Sequence, residues 1–241
     1  MTMSEKLQKS IENLYEVFAK YPLKEKIQGC PHCISDEADN VLHSKPLRKL
    51  MAEDLSYFAA KSMTTFGDED DFKHFLPRLF ELMSQGESVC NYGEEILIGK
   101  LGYANWTEWN EVEKSAVENF LMKLIRYSSD FEKDKAYFTE TFLAGIANAV
   151  EDITPYLNPW LEDISVNKIY TLHYLVVDCH YGMSNVYLAK LPAQRKQIKD
   201  WLISENTVST LENLYFNNER FQQLSELSQM LDLIYDLQKS N

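Results

Sequence analysis

Apolar residues recur along this chain at intervals of three and four, almost from end to end. Leu7, Ile11, Leu14 and Phe18 form the first such stripe. Ser4 is its expected cap, and Tyr21-Pro22 closes it, because the residue before a proline is pushed out of the helical region. Ser35 predicts a short helix ending near His43, with Asp36 and Glu37 in its first turn facing the positive end of the dipole. Pro46 restarts the chain ahead of Leu47, Leu50 and Met51. Leu55, Phe58, Ala59 and Ser62 mark a helix over 53–65 that Gly67 breaks. Phe72, Phe75, Leu76, Leu79 and Phe80 carry the pattern through 68–83 and straight across Pro77, so that helix should continue but bend.

Beyond a loop at 86–93 and a short helix at 94–100, the pattern lengthens. Val112, Ala116, Phe120, Leu124 and Tyr127 predict a long helix capped by Thr107, and Tyr137, Phe142, Ile146 and Val150 another that begins at Asp130. Pro155 and Pro159 interrupt it. Residues 166–188 are apolar around more of their circumference, which predicts the most buried helix. Pro192 opens a further helix, and two more follow over 208–216 and 219–237. The sum is about ten helices and no convincing strand. It implies an all-α fold, either an irregular multi-helix bundle or a loosely repetitive helical array, since no repeat of fixed period is visible. No linker-like composition divides the chain, so residues 1–241 read as a single domain, with Asn105 the place for any subdivision.

Composition narrows the function. Eight glycines and seven prolines in 241 residues are too few for a strand-and-turn protein. A formal charge of −13 disfavours nucleic acid, whose phosphates it repels. The longest apolar runs, Tyr174 to Val177 among them, are far too short to span a membrane. The opening MTMSEKLQKS is polar, and four cysteines without an export signal suggest a reducing cytoplasm.

The unusual chemistry is concentrated between Gly29 and Leu82. Three readings of Cys30-Pro31-His32-Cys33 compete. The tetrapeptide is similar to the active-site motif of bacterial periplasmic thiol oxidases, which have a thioredoxin fold; here no β-strand leads into it and no βαβ pattern follows. Alternatively the two thiolates are half of a tetrahedral zinc site, with His43 as third ligand and His74 or His32 as fourth, and Asp70 behind His74. Alternatively the cysteines pack as small hydrophobes around a proline turn. The Asp68–Asp71 run reads as a charged helix start, lacking the glycine and spacing of a calcium loop. His173 and His180 share a helix face and read as core histidines, and Cys90 and Cys179 carry no signal.

The segments GCPHC, LRKL (47–50), DLSYFAAKSMTTFGD (54–68) and DFKHFLPRLFEL (71–82) together resemble a group of uncharacterised bacterial all-helical proteins. The resemblance implies a bacterial source and makes the cysteine box and His74 look like parts of one unit; it implies no activity. Two functions remain open. One is a helical protein that binds another protein, with a structural zinc at Cys30, Cys33, His43 and His74. The other is a metal- or thiol-dependent enzyme using those same four residues.

Overall fold

The computed structural model describes residues 4–30, 32, 34–90 and 93–239. Among them are thirteen α-helices, five 3-10 turns and no strand. The chain divides into two compact units, Met1–Leu124 and Ile125–Asn241. The division falls later than Asn105, inside a continuous helix, where no shift of composition marks it.

The first unit holds α1 (Glu5–Phe18), α2 (Asp36–His43), α3 (Ala52–Lys61), α4 (Glu69–Ser84), α5 (Glu94–Tyr103) and the start of α6 (Glu111–Ser128). In α1 the Ser4 hydroxyl accepts from the Leu7 amide at 3.2 Å, and the whole predicted stripe is buried. It packs on α4, which is the centre of the unit. Asp68 caps α4 by accepting from the amides of Asp70 and Asp71, while the Asp71 carboxylate accepts from the Asp68 amide. The acidic run is thus a reciprocal capping box. α4 is unbroken across Pro77, so the Lys73 carbonyl lacks its usual helical donor. Phe72, Phe75 and Phe80 are fully buried, and Phe80 stacks on Phe120 of α6 at 4.9 Å. Burying each such side chain is worth roughly 1.5–3 kcal/mol.

Three groups from two distant parts of this unit converge on one carboxylate. Glu113 of α6 is fully buried; its Oε1 accepts from the Tyr21 hydroxyl at 2.6 Å and pairs with Lys20 at 2.6 Å. Its Oε2 pairs with Lys73 at 3.0 Å, an ionic contact off the ideal hydrogen-bond line. Lys73 lies over the Trp109 ring at 4.3 Å and also reaches Glu69 at 2.7 Å.

The second unit holds the end of α6, then α7 (Ala136–Ala149), α8 (Thr154–Leu157), α9 (Val166–His180), α10 (Pro192–Leu202), α11 (Glu205–Asn217), α12 (Glu219–Gln222) and α13 (Ser225–Lys239). α9 packs against α7 and α13. It stops at His180 rather than at Leu188, because Gly182 and Met183 both take positive φ and the Asp178 carboxylate captures the Ser184 amide at 2.7 Å. The most continuously buried helices are α4 and α7, not α9. α7 starts at Ala136 rather than Asp130, after a 3-10 turn over Lys133–Lys135.

Candidate binding cleft and the Cys30 box

The segment leading into the cysteine box is pinned by backbone. Gly67 donates to the Gln28 carbonyl at 2.7 Å and Cys30 to that of Thr65 at 2.9 Å, so residues 28–30 run antiparallel to 65–67. Gly29 permits this approach: a Cβ there would lie 2.7 Å from Ile34 Cγ1 and 3.2 Å from the Thr65 oxygen. The Ile34 amide closes the loop onto the Cys30 carbonyl at 2.9 Å. Pro31 and Cys33 lie outside the described residues, so the cysteine pair is placed only through Cys30. His32 is exposed.

The two histidines expected beside the box hold a different segment. His43 Nε2 is 2.8 Å from the Lys24 carbonyl and its Nδ1 is 2.8 Å from the Asp39 carbonyl. Carbonyls only accept, so both contacts are hydrogen bonds only when the ring is doubly protonated. Those two carbonyls, with a smaller contribution from the Asp39 carboxylate 3.7 Å away, hold its pKa above the ordinary value against the cost of burial. In this arrangement His43 offers a metal no lone pair. His74 Nδ1 donates to the Tyr21 carbonyl at 2.8 Å, so that carbonyl, and not exposed Asp70, orients the ring. Burial pushes the His74 pKa down, with nearby His43 adding to that, against the Tyr21 carbonyl and the Asp71 charge, which push it up. Because Nδ1 carries the proton given to Tyr21, the lone pair of the neutral ring lies on Nε2. Lys24 itself reaches Asp68 at 2.6 Å and Asp71 at 3.2 Å. The connector 21–24 is therefore strapped to α2 and α4 together.

Among the described residues no group of three His, Cys, Asp or Glu side chains is arranged to hold a metal. In the second unit, His173 reaches the Gln229 side chain at 3.0 Å, and His180 Nδ1 is buried with no hydrogen bond among the described residues. Burial pushes the Cys179 thiol up to about 11, and the Asp178 charge pushes the same way, the opposite of an activated nucleophile.

Beside the strapped connector lies an open cleft of about 600 Å³ in the first unit. Tyr15 and Phe18 of α1 with its C-cap Ala19 form one wall, Tyr21 and Pro22 the end, Pro46, Leu47 and Arg48 another wall, and His74 and Pro77 of α4 the floor. The Arg48 guanidinium stacks on the Tyr15 ring, 3.6 Å from its centroid, and grips Glu12 with two hydrogen bonds. The Tyr15 hydroxyl donates to Glu81 at 2.6 Å, Arg78 shares that carboxylate, and Arg78 Nε donates to the Leu50 carbonyl at 2.8 Å. The walls are thus fixed by a continuous polar chain before anything binds. Apart from Arg78 and Glu81, three residues apart, these pairs were not visible in local spacing: Arg48 and Glu12 are 36 residues apart, Tyr15 and Glu81 66. No family model, curated protein or solved structure matches the chain.

Proposed function

We propose that this is a protein-binding helical module, and that its first unit takes a segment of the partner into the cleft between α1, the 46–48 turn and α4. The observation that carries this reading is the cleft itself. It has the volume of a ligand site, its lining is mainly aromatic, aliphatic and proline side chains, and its walls are already held in place. A wall that need not be ordered on binding spares the partner that entropic cost. Within the cleft the ionisable groups are Glu16, Arg48, His74 and two tyrosines, with no cysteine or serine to serve as nucleophile. That composition supports recognition over catalysis.

The test is selection of peptides from a random display library, followed by calorimetry on the winners. Ala19 is exposed on the cleft wall, so Ala19→Trp fills the site without disturbing the core. Selected peptides should bind the parent protein and lose at least about tenfold in affinity to Ala19→Trp, the equivalent of one well-made contact. Undiminished binding to Ala19→Trp would move the function elsewhere on the molecule.

A further inference from the structure

Resting on that reading, we infer that the cleft is built for a hydrogen-bond-donating aromatic side chain, tryptophan or tyrosine, next to a basic residue of the partner. Three features of the cleft argue for this occupant. The first is the lone pair. His74 Nδ1 is committed to the Tyr21 carbonyl, and the ring lines the cleft. Among the described residues Nε2 has no hydrogen-bond partner, and it is not sealed from solvent. A ligand that covered it without donating would strand an acceptor, which costs more than the bond itself is worth.

The second feature is shape. Tyr21, Pro22 and Pro46 offer partly or fully exposed rings to the cleft, over buried Phe18 and Pro77, and another ring packs against them with little entropy to lose. An aliphatic hydroxyl would satisfy Nε2 but leave these faces uncovered. An indole or phenol does both.

The third is charge. The positive group of the cleft, Arg48, is already neutralised by two bonds to Glu12, so a partner carboxylate gains little there. Glu16, exposed on the lining, has no such partner among the described ion pairs, and the chain as a whole carries −13. A lysine or arginine beside the aromatic residue completes that rim.

The test is a panel of four capped hexapeptides identical except at two central positions: Trp-Lys, Phe-Lys, 1-methyl-Trp-Lys and Trp-Glu. Binding is read by calorimetry. Trp-Lys should bind most tightly. Phe-Lys and 1-methyl-Trp-Lys, which keep the ring and lose the donor, should each be weaker by about tenfold. His74→Asn keeps an N–H for the Tyr21 carbonyl while deleting Nε2, and should level those three affinities. Glu16→Gln, a surface change, should erase the preference for Lys over Glu.

Equal binding of Phe-Lys and Trp-Lys to the parent protein would overturn the donor inference. So would failure of the whole panel while library-selected peptides still bind in an Ala19-sensitive way; in both cases the cleft remains a peptide site. N-acetyl-tryptophanamide binding as tightly as Trp-Lys would give the cleft to a free small molecule instead. Self-association that Ala19→Trp abolishes would give it to a second copy of the chain. Either result overturns the inference.

Discussion

Glu113→Gln is the sharpest test of how the first unit is held together. The parent carboxylate is fully buried and receives Lys20, Tyr21 and Lys73 within 3.0 Å. Burial alone would raise its pKa; the polar contacts with Lys20, Tyr21, Lys73 and Asn110 outweigh that and hold it at about 2. Glutamine keeps the shape and removes the charge. Lys73 then stays almost sealed from solvent between aromatic rings, with Glu69 as its remaining carboxylate. Deleting one partner of a buried pair costs roughly 3–5 kcal/mol. The lower end applies, because Lys20 is half exposed and can turn to water, so the expected loss is about 3 kcal/mol. For a unit of this size that corresponds to a fall in Tm of about 10 °C.

The pH dependence gives a second handle. The folded pKa is depressed, so the carboxylate's contribution is fully present above its ordinary value of 4.5 and is lost as pH falls toward about 2. Denaturant titrations followed by hydrogen exchange at α4 and α6 amides should therefore show a parent–variant gap that is constant above pH 4.5 and closes in acid. Lys73→Met added to Glu113→Gln should recover about 1 kcal/mol or more, since it removes the stranded charge. A gap under about 1 kcal/mol would mean the cluster is ordinary surface electrostatics. A gap that persists unchanged in acid would mean the loss came from packing.

His43 should show the opposite slope. Its folded pKa is raised, so its stabilisation is complete below 6.5 and fades as pH rises through the folded value; His43→Leu should flatten that decline, and an unchanged decline would assign it to another group. Zinc added at pH 6 should leave the His43 ring resonances in place, because both nitrogens donate while the ring is doubly protonated; a zinc-dependent shift there would return His43 to a ligand set. Pro77→Ala restores an N–H for the Lys73 carbonyl but removes a buried ring, so it should stabilise by a net of about 1 kcal/mol in chemical denaturation. A loss there would show that the ring's packing dominates. Gly29→Ala should cost about 1–3 kcal/mol, because the Thr65 oxygen 3.2 Å away is backbone and cannot rotate aside; a neutral result would mean the 28–30 segment shifts freely.

What could be read from the sequence follows from the range of the interactions. Stripes such as Leu7-Ile11-Leu14-Phe18 are local and stood out in the spacing; the acidic run was legible as a helix start, but not as the reciprocal box that Asp68 and Asp71 form. The run after His180 did not, because a side chain, Asp178, ends α9 by taking the Ser184 amide, and apolar periodicity is blind to that. The histidines were singled out as candidate ligands, and in the structure each holds a backbone carbonyl of the 21–24 connector. His43 was expected to meet sulfur, yet its far partner is a backbone carbonyl 19 residues away, and that of His74 is 53 away. Every residue has a carbonyl, so no residue type announces one as an acceptor. Glu113 was invisible for a related reason: its lysines lie 93 and 40 positions earlier, and only the Glu69–Lys73 spacing was local.

The strapped connector has a practical consequence for cutting the chain. Residues 4–24 carry both the apolar stripe that seats α1 on α4 and the two carbonyls that His43 and His74 grip. A protease nick just beyond, near exposed Glu25 and Lys26, would sever one peptide bond and none of those contacts. The N-terminal fragment then becomes a wedge that can leave and return. Split there, the protein should reassemble from two separately produced pieces. Because α1 supplies one wall of the cleft, a labelled fragment would report on whether that site has been rebuilt.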